Sequence, residues 1–139
     1  MTEIQRYRVV DVRDGYELRE YAPCTVIDVE VVGKRFDKAG NAGFRPLLRY
    51  ISGGNAASQR IAMTAPVLQY HAQDVHVVSF VLPDGTTSAP SPAESAVHVR
   101  EVPAELVAVR RYAGSTGEAA YLRELARLRA ALARDGLHE

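Results

Sequence analysis

The sequence predicts an α+β fold in which one unit is used twice, the second time without its last strands. Two observations carry this. Leu18-Arg19-Glu20 runs through Val26 to Gly33, and Val99-Arg100-Glu101 runs through Val107 to Gly114, so Arg, Glu, Val and Gly recur at one constant offset. Each copy also reads as strand-like stretches followed by a helical one, so the flanking elements repeat in phase with the identities. Two more strand-like stretches follow the first copy. The second copy ends in its helix, at Glu139.

Taken in order, residues 6–13 alternate loosely through Tyr7 and Val9 and read as a strand, and Asp14-Gly15 is a turn. Residues 16–21 alternate again, Ala22-Pro23 interrupts, and Thr25 to Val32 forms the next strand. In that strand Ile27, Val29 and Val31 lie on one face, and Asp28 and Glu30 on the other. Together these make a hairpin. Residues 35–52 carry a helical pattern, with Phe44, Leu47, Leu48 and Ile51 at i, i+3, i+4 and i+7, and Gly53-Gly54-Asn55 as the stop. Pro46 predicts either a kink or a regular helix that begins near it. Residues 60–70 and 75–82 read as two strands around a turn at His71-Ala72-Gln73-Asp74.

The first half of the chain, 1–83, is then joined by a linker rich in Pro, Ser, Thr and Ala, 84–96, to an incomplete second half, 97–139. That half starts with Val97 and Val99, turns at Pro103-Ala104 and returns through Leu106 to Tyr112. Ser115 and Glu118 have capping-box spacing. Tyr121, Leu125, Leu128 and Leu132 form the apolar face of the last helix, which Gly136 ends. All of this fits one domain.

Composition narrows the function. Seventeen acidic and seventeen basic side chains leave no net charge, which argues against a nucleic-acid or membrane-surface footprint. The single cysteine, Cys24, excludes an internal disulfide framework and a cysteine-based zinc site. No apolar run reads as a signal peptide or a bilayer span, so a cytoplasmic protein is expected.

Catalytic groupings are thin. Gly53-Gly54 lacks the lysine and spacing of a phosphate loop, and Cys24 reads as an inert thiol at a bend. No two histidines have the spacing of a mononuclear metal site. His98 falls on an outer face with Arg100, whereas His76 alternates onto the face of Val78, Phe80 and Leu82 and points toward an apolar interior. The better candidate is the helix around 44–51, where Arg45 and Arg49 flank the apolar stripe. Such a surface could take a flat apolar ligand carrying carboxylates. Periodicity alone favours a core helix with solvated arginines. Met63 shares a strand face with Ile61 and Val67 and reads as core, with pocket lining as the alternative.

Several strings resemble the SOUL haem-binding protein family. Tyr16-Glu17-Leu18-Arg19-Glu20-Tyr21 is similar to its opening hairpin motif, and the stretch from Gly43 through Tyr50-Ile51-Ser52-Gly53-Gly54-Asn55 to its first helix and stop. Ile61-Ala62-Met63-Thr64-Ala65-Pro66-Val67 resembles its Ile-x-Met-Thr-x-Pro-Val strand. Ser79-Phe80-Val81-Leu82-Pro83 with the Pro90 and Pro92 loop completes the series. The resemblance implies a duplicated β-α-β-β unit, whose strands form a distorted antiparallel β-barrel flanked by two helices, as in GyrI-like effector-binding domains. It also implies binding of haem or another porphyrin on the apolar surface near the first helix. Phe44, Leu47, Leu48 and Ile51 would form that surface, with Arg45 and Arg49 near propionates and Met63 and His76 as neighbours.

Family members continue past the second helix with a further strand pair. Its absence from this chain is expected to leave strand edges open to homodimer formation and the ligand surface less walled. The alternatives are a small-molecule hydrolase on the GyrI-like scaffold, with Glu17, Asp28 or Glu30 as the carboxylate, or an effector-binding module.

Overall fold

Hydrogen bonding between strands joins stretches far apart in the sequence. The computed structural model describes residues 2–33, 35–72, 75–114 and 117–139. In chain order the first elements are β1 (Glu3–Ile4), β2 (Tyr7–Arg13), β3 (Tyr16–Tyr21), β4 (Cys24–Val32) and α1 (Phe36–Ile51). There follow β5 (Thr64–Ala65), β6 (Val67–Ala72), β7 (Val75–Val81), β8 (Val97–Val102), β9 (Glu105–Val109) and α2 (Glu118–Arg134). The chain divides into two compact units, Met1–Arg6 with Pro23–Pro103, and Tyr7–Ala22 with Ala104–Glu139.

The first unit holds an antiparallel sheet in the order β6-β7-β4-β8, with β1 and β5 as a short parallel pair. The alternation seen in β4 is the reason α1 can lie on this sheet. Ile27 and Val29 of β4 join Val78 and Phe80 of β7 and Val97 of β8 under Leu47, Tyr50 and Ile51 of the helix. Gly43 permits the close approach, since a Cβ there would stand 2.8 Å from the Val78 Cβ. The opposite face of the central strands is buried as well, through Val26, Val77, Ser79 and Val81.

Pro46 sits inside α1, which is regular from Phe36 onward, so the helix does not begin near the proline. The proline removes one ladder donor but leaves the helix intact on its packed face. Asn55 ends it. Its side-chain amide donates to the carbonyls of Tyr50 (2.9 Å) and Gln59 (2.8 Å), and its Oδ1 accepts from the N–H groups of Ala57 and Gln59. The linker 84–96 is strapped to this corner. Tyr50 donates its hydroxyl to the Pro90 carbonyl at 2.6 Å, and Ala93 donates its N–H to Gly54.

The second unit holds the antiparallel sheet β2-β3-β9 and α2. Here the hairpin is β2–β3, turning at Asp14-Gly15 with Gly15 at φ +91, where a side chain would be strained. Two side chains of this unit tie α2 down. Tyr16 donates its hydroxyl to Asp135 at 2.6 Å, and Arg110 reaches, at 2.8 Å, the buried Glu124, which also accepts from Arg127 of the same helix at 2.9 Å.

Several expectations need correction. Neither β3 with β4 nor β8 with β9 forms a hairpin. β3 pairs with β9 and β4 with β8, and the chain changes sheet at Ala22-Pro23 and again at Pro103-Ala104. The prolines lack the N–H that would continue a ladder. The two ladders nevertheless have one register: stepping three residues along each strand from Tyr21↔Glu105 gives Cys24↔Val102. Each sheet is an open ladder with two edge strands, so none closes on itself as the implied barrel would. The strand over 60–70 is regular only from Thr64 and breaks at Pro66, while residues 60–61 run beside the end of α1, with the Ile61 N–H on the Ile51 carbonyl. His71 and Ala72 belong to β6, and Gln73 and Asp74 lie outside the described residues. The capping box falls on Ser115, also outside the described residues, and the N-cap of α2 is Gly117, which has no side chain to cap with.

Candidate functional site

The candidate residues begin with α1. Its packed face carries Leu47, fully buried, and Ile51, nearly so. Phe44 is half-buried beside them and meets Phe80 edge-on, with ring centroids 5.2 Å apart. These three belong to the core cluster or its rim. What α1 turns outward is a second stripe, with Leu48 at 41% exposure between the exposed Arg45 and Arg49. These stand at i, i+3 and i+4 on the helix and so form one face.

The two arginines differ. Arg49 holds Glu94 of the linker through two nitrogens, Nε on Oε1 and Nη2 on Oε2 at 3.1 Å. The pairing raises the arginine above its ordinary pKa and holds the Glu94 carboxyl below the usual range. Arg45 makes no ion pair among the described residues. Met63 is 38% exposed, so it is not core. It lies two residues beyond Ile61, on the chain segment that passes the last turn of α1.

His76 lies elsewhere. It is buried, its ring stacks on His71 across the β6–β7 pair at 4.6 Å, and Phe36 stands edge-on to it at 6.0 Å. Its Nδ1 has no partner among the described residues. Phe36 and Leu48 are twelve residues apart on one helix, which is about 18 Å along its axis. The structure therefore brings Arg45, Leu48 and Arg49 together on one face and sets His76 at the other end of α1. The sequence reasoning missed the His71–His76 stack because it placed His71 in a turn.

The carboxylates considered for hydrolysis are differently placed. Glu30 is exposed, and Glu17 pairs with Arg19 at 3.3 Å. Asp28 is buried, accepting from the Ser79 hydroxyl and from Arg100 Nε at 2.7 Å. A cleft of about 520 Å³ is lined by Pro23, Cys24, Thr25, Thr86, Glu101 and Val102, among others. A smaller one of about 240 Å³, lined in part by Gln59 through Ala62, stops one residue short of Met63. Among the described residues, no three His, Cys, Asp or Glu side chains are grouped to hold a metal ion. No helix among them is long and apolar enough to cross a membrane.

A mixed α+β chain with an arginine-edged helix laid on an antiparallel sheet agrees with the class its motifs resemble. The chain belongs to the SOUL heme-binding protein family, whose model matches residues 2–139. Among individual proteins it is similar to Heme-binding protein 1 of Xenopus laevis, 29% identical over 133 residues, covering 88% of this chain and 70% of that protein. It is also similar to Heme-binding protein 2 of Homo sapiens, 30% identical over 130 residues, covering 88% of this chain and 63% of that one.

Proposed function

We propose that this chain binds haem, or a metal-free porphyrin of the same shape, on the outward face of α1 and serves to buffer or carry it. The observation that carries the reading is Leu48, an exposed leucine on the same helix face as two guanidinium groups, on a helix whose Leu47, Tyr50 and Ile51 are buried. Haem offers a flat apolar macrocycle with two carboxylates. Leu48 and Met63 suit the first, and Arg45 suits a carboxylate by bidentate pairing. Arg49 would have to share or release Glu94. Leu47 and Ile51 support the surface from beneath, and the reading gives them no ligand contact. It also gives His76 no bond to iron, since that ring is enclosed between β6, β7 and Phe36.

The same reading takes the chain as one domain built from a duplicated β-α-β-β unit related to GyrI-like domains. Its support is the register. The offset that carries Leu18 onto Val99 carries β3 onto β8 and β4 onto β9, and hence one cross-copy ladder onto the other.

A titration of the protein with haem, followed by Soret absorbance, tests the proposal. A saturable change at micromolar protein is expected, weakened about tenfold by Leu48→Asp and again by Arg45→Glu. A metal-free porphyrin should bind comparably, because no axial ligand is assigned. No saturable change, or binding that ignores both substitutions, overturns it.

A further inference from the structure

Four strands stand at the margins of the two larger sheets: β6 and β8 in one, β2 and β9 in the other. Three of them carry features that discourage further pairing. β2 has a register shift between Val9 and Asp11 and bears Arg8, Asp11 and Arg13. β8 bears Arg100 and Glu101, and β6 follows Pro66 and carries Gln69 and His71. β9 is the least marked of the four, with one charged residue, Glu105, at its start. Its run is Leu-Val-Ala-Val, it pairs with β3 without a shift, and Leu106 is 65% exposed. Among the described residues its other side makes no backbone hydrogen bonds.

We infer that the free side of β9 pairs with β9 of a second copy of this chain, antiparallel about a two-fold axis at Val107. An extended strand can pair with a whole row of exposed N–H and C=O groups at once, and this chain supplies a matching one. Centred on Val107, the pairing sets each Leu106 opposite an Ala108, large against small. It sets each Glu105 opposite a Val109, with Arg111 of the second copy two residues past that partner, just beyond the end of the strand. Glu105 and Arg111 are both exposed, and neither has an ion-pair partner among the described residues. The two-fold joins them twice. The charges flanking this strand are therefore complementary to themselves under the symmetry that an isologous dimer requires. The result is a continuous sheet with two copies each of β2, β3 and β9, and it does not depend on any ligand.

Sedimentation velocity across a dilution series tests this, with circular dichroism confirming that each variant is folded. The wild-type chain should show a reversible monomer–dimer equilibrium. Leu106→Lys, at an exposed position, should shift it to monomer. Glu105→Arg and Arg111→Glu should each weaken it on the order of tenfold, and the two together should restore it. A wild-type chain that stays monomeric throughout overturns the inference. So does a dimer unmoved by Leu106→Lys, or one that the paired charge reversal fails to restore, since either would place the contact on another edge.

Discussion

Asn55 uses both ends of its amide on the backbone. Two carbonyls and two N–H groups at the end of α1 are satisfied by this one buried side chain. Truncation leaves the Tyr50 and Gln59 carbonyls short of a donor where water has little access, so Asn55→Ala should cost about 3 kcal/mol, measured as a lower urea midpoint at unchanged m-value. Arg19 shows the opposite condition. Arg100, which matches it in the offset sequence pattern, finds Asp28 across the ladder, but the position at that offset from Asp28 is Val109. Arg19 instead takes Glu17, the Tyr21 hydroxyl at 3.0 Å and the face of Tyr7 at 4.1 Å, and its Nε remains unpaired among the described residues. Both hydrogen bonds raise its already high pKa, so it stays charged while buried.

At the level of elements, two glycines of α1 distinguish contact with a fixed atom from contact with a movable one. A Cβ at Gly43 would meet the Val78 Cβ at 2.8 Å, and neither the sheet nor the helix can withdraw cheaply. A Cβ at Gly40 would meet the end of Gln69, which can swing away. Alanine gains about 1 kcal/mol of helix propensity at either place. Overpacking outweighs that gain at Gly43, so Gly43→Ala should destabilise by about 1–2 kcal/mol in chemical denaturation, whereas Gly40→Ala should be near neutral.

The end of α2 is a pH-sensitive tie. Arg134 and then the Tyr16 hydroxyl hold the Asp135 carboxyl down from 3.8 to about 2. A carboxyl depressed by folding contributes stability that is complete above its unfolded pKa and fades as pH falls through the folded value. The thermal midpoint should therefore drop between about pH 4 and pH 2, and Asp135→Asn should flatten part of that drop in melts followed by circular dichroism.

For the whole molecule, strand and helix positions were legible because alternation and the helical period report which residues share a face. Ile27, Val29 and Val31 fall together, and the helix expected over 35–52 runs Phe36–Ile51. Pairing partners were not legible, because adjacency in sequence suggests hairpins and nothing local shows that Pro23 and Pro103 pass the chain to another sheet. Exposure within the candidate site was equally hidden. Periodicity groups Phe44, Leu47, Leu48 and Ile51, but only the packed structure separates Leu48 from the rest. The pairing of β3 with β9 also has a kinetic consequence. Glu17 meets Val109, roughly ninety residues later, so loop closure must precede that ladder. As the chain leaves the ribosome, β3 can pair early with β2, but its second partner is made only after the whole first sheet. Until then the hairpin has its β9-facing side open, and a chaperone that shields bare strand edges has its natural moment there.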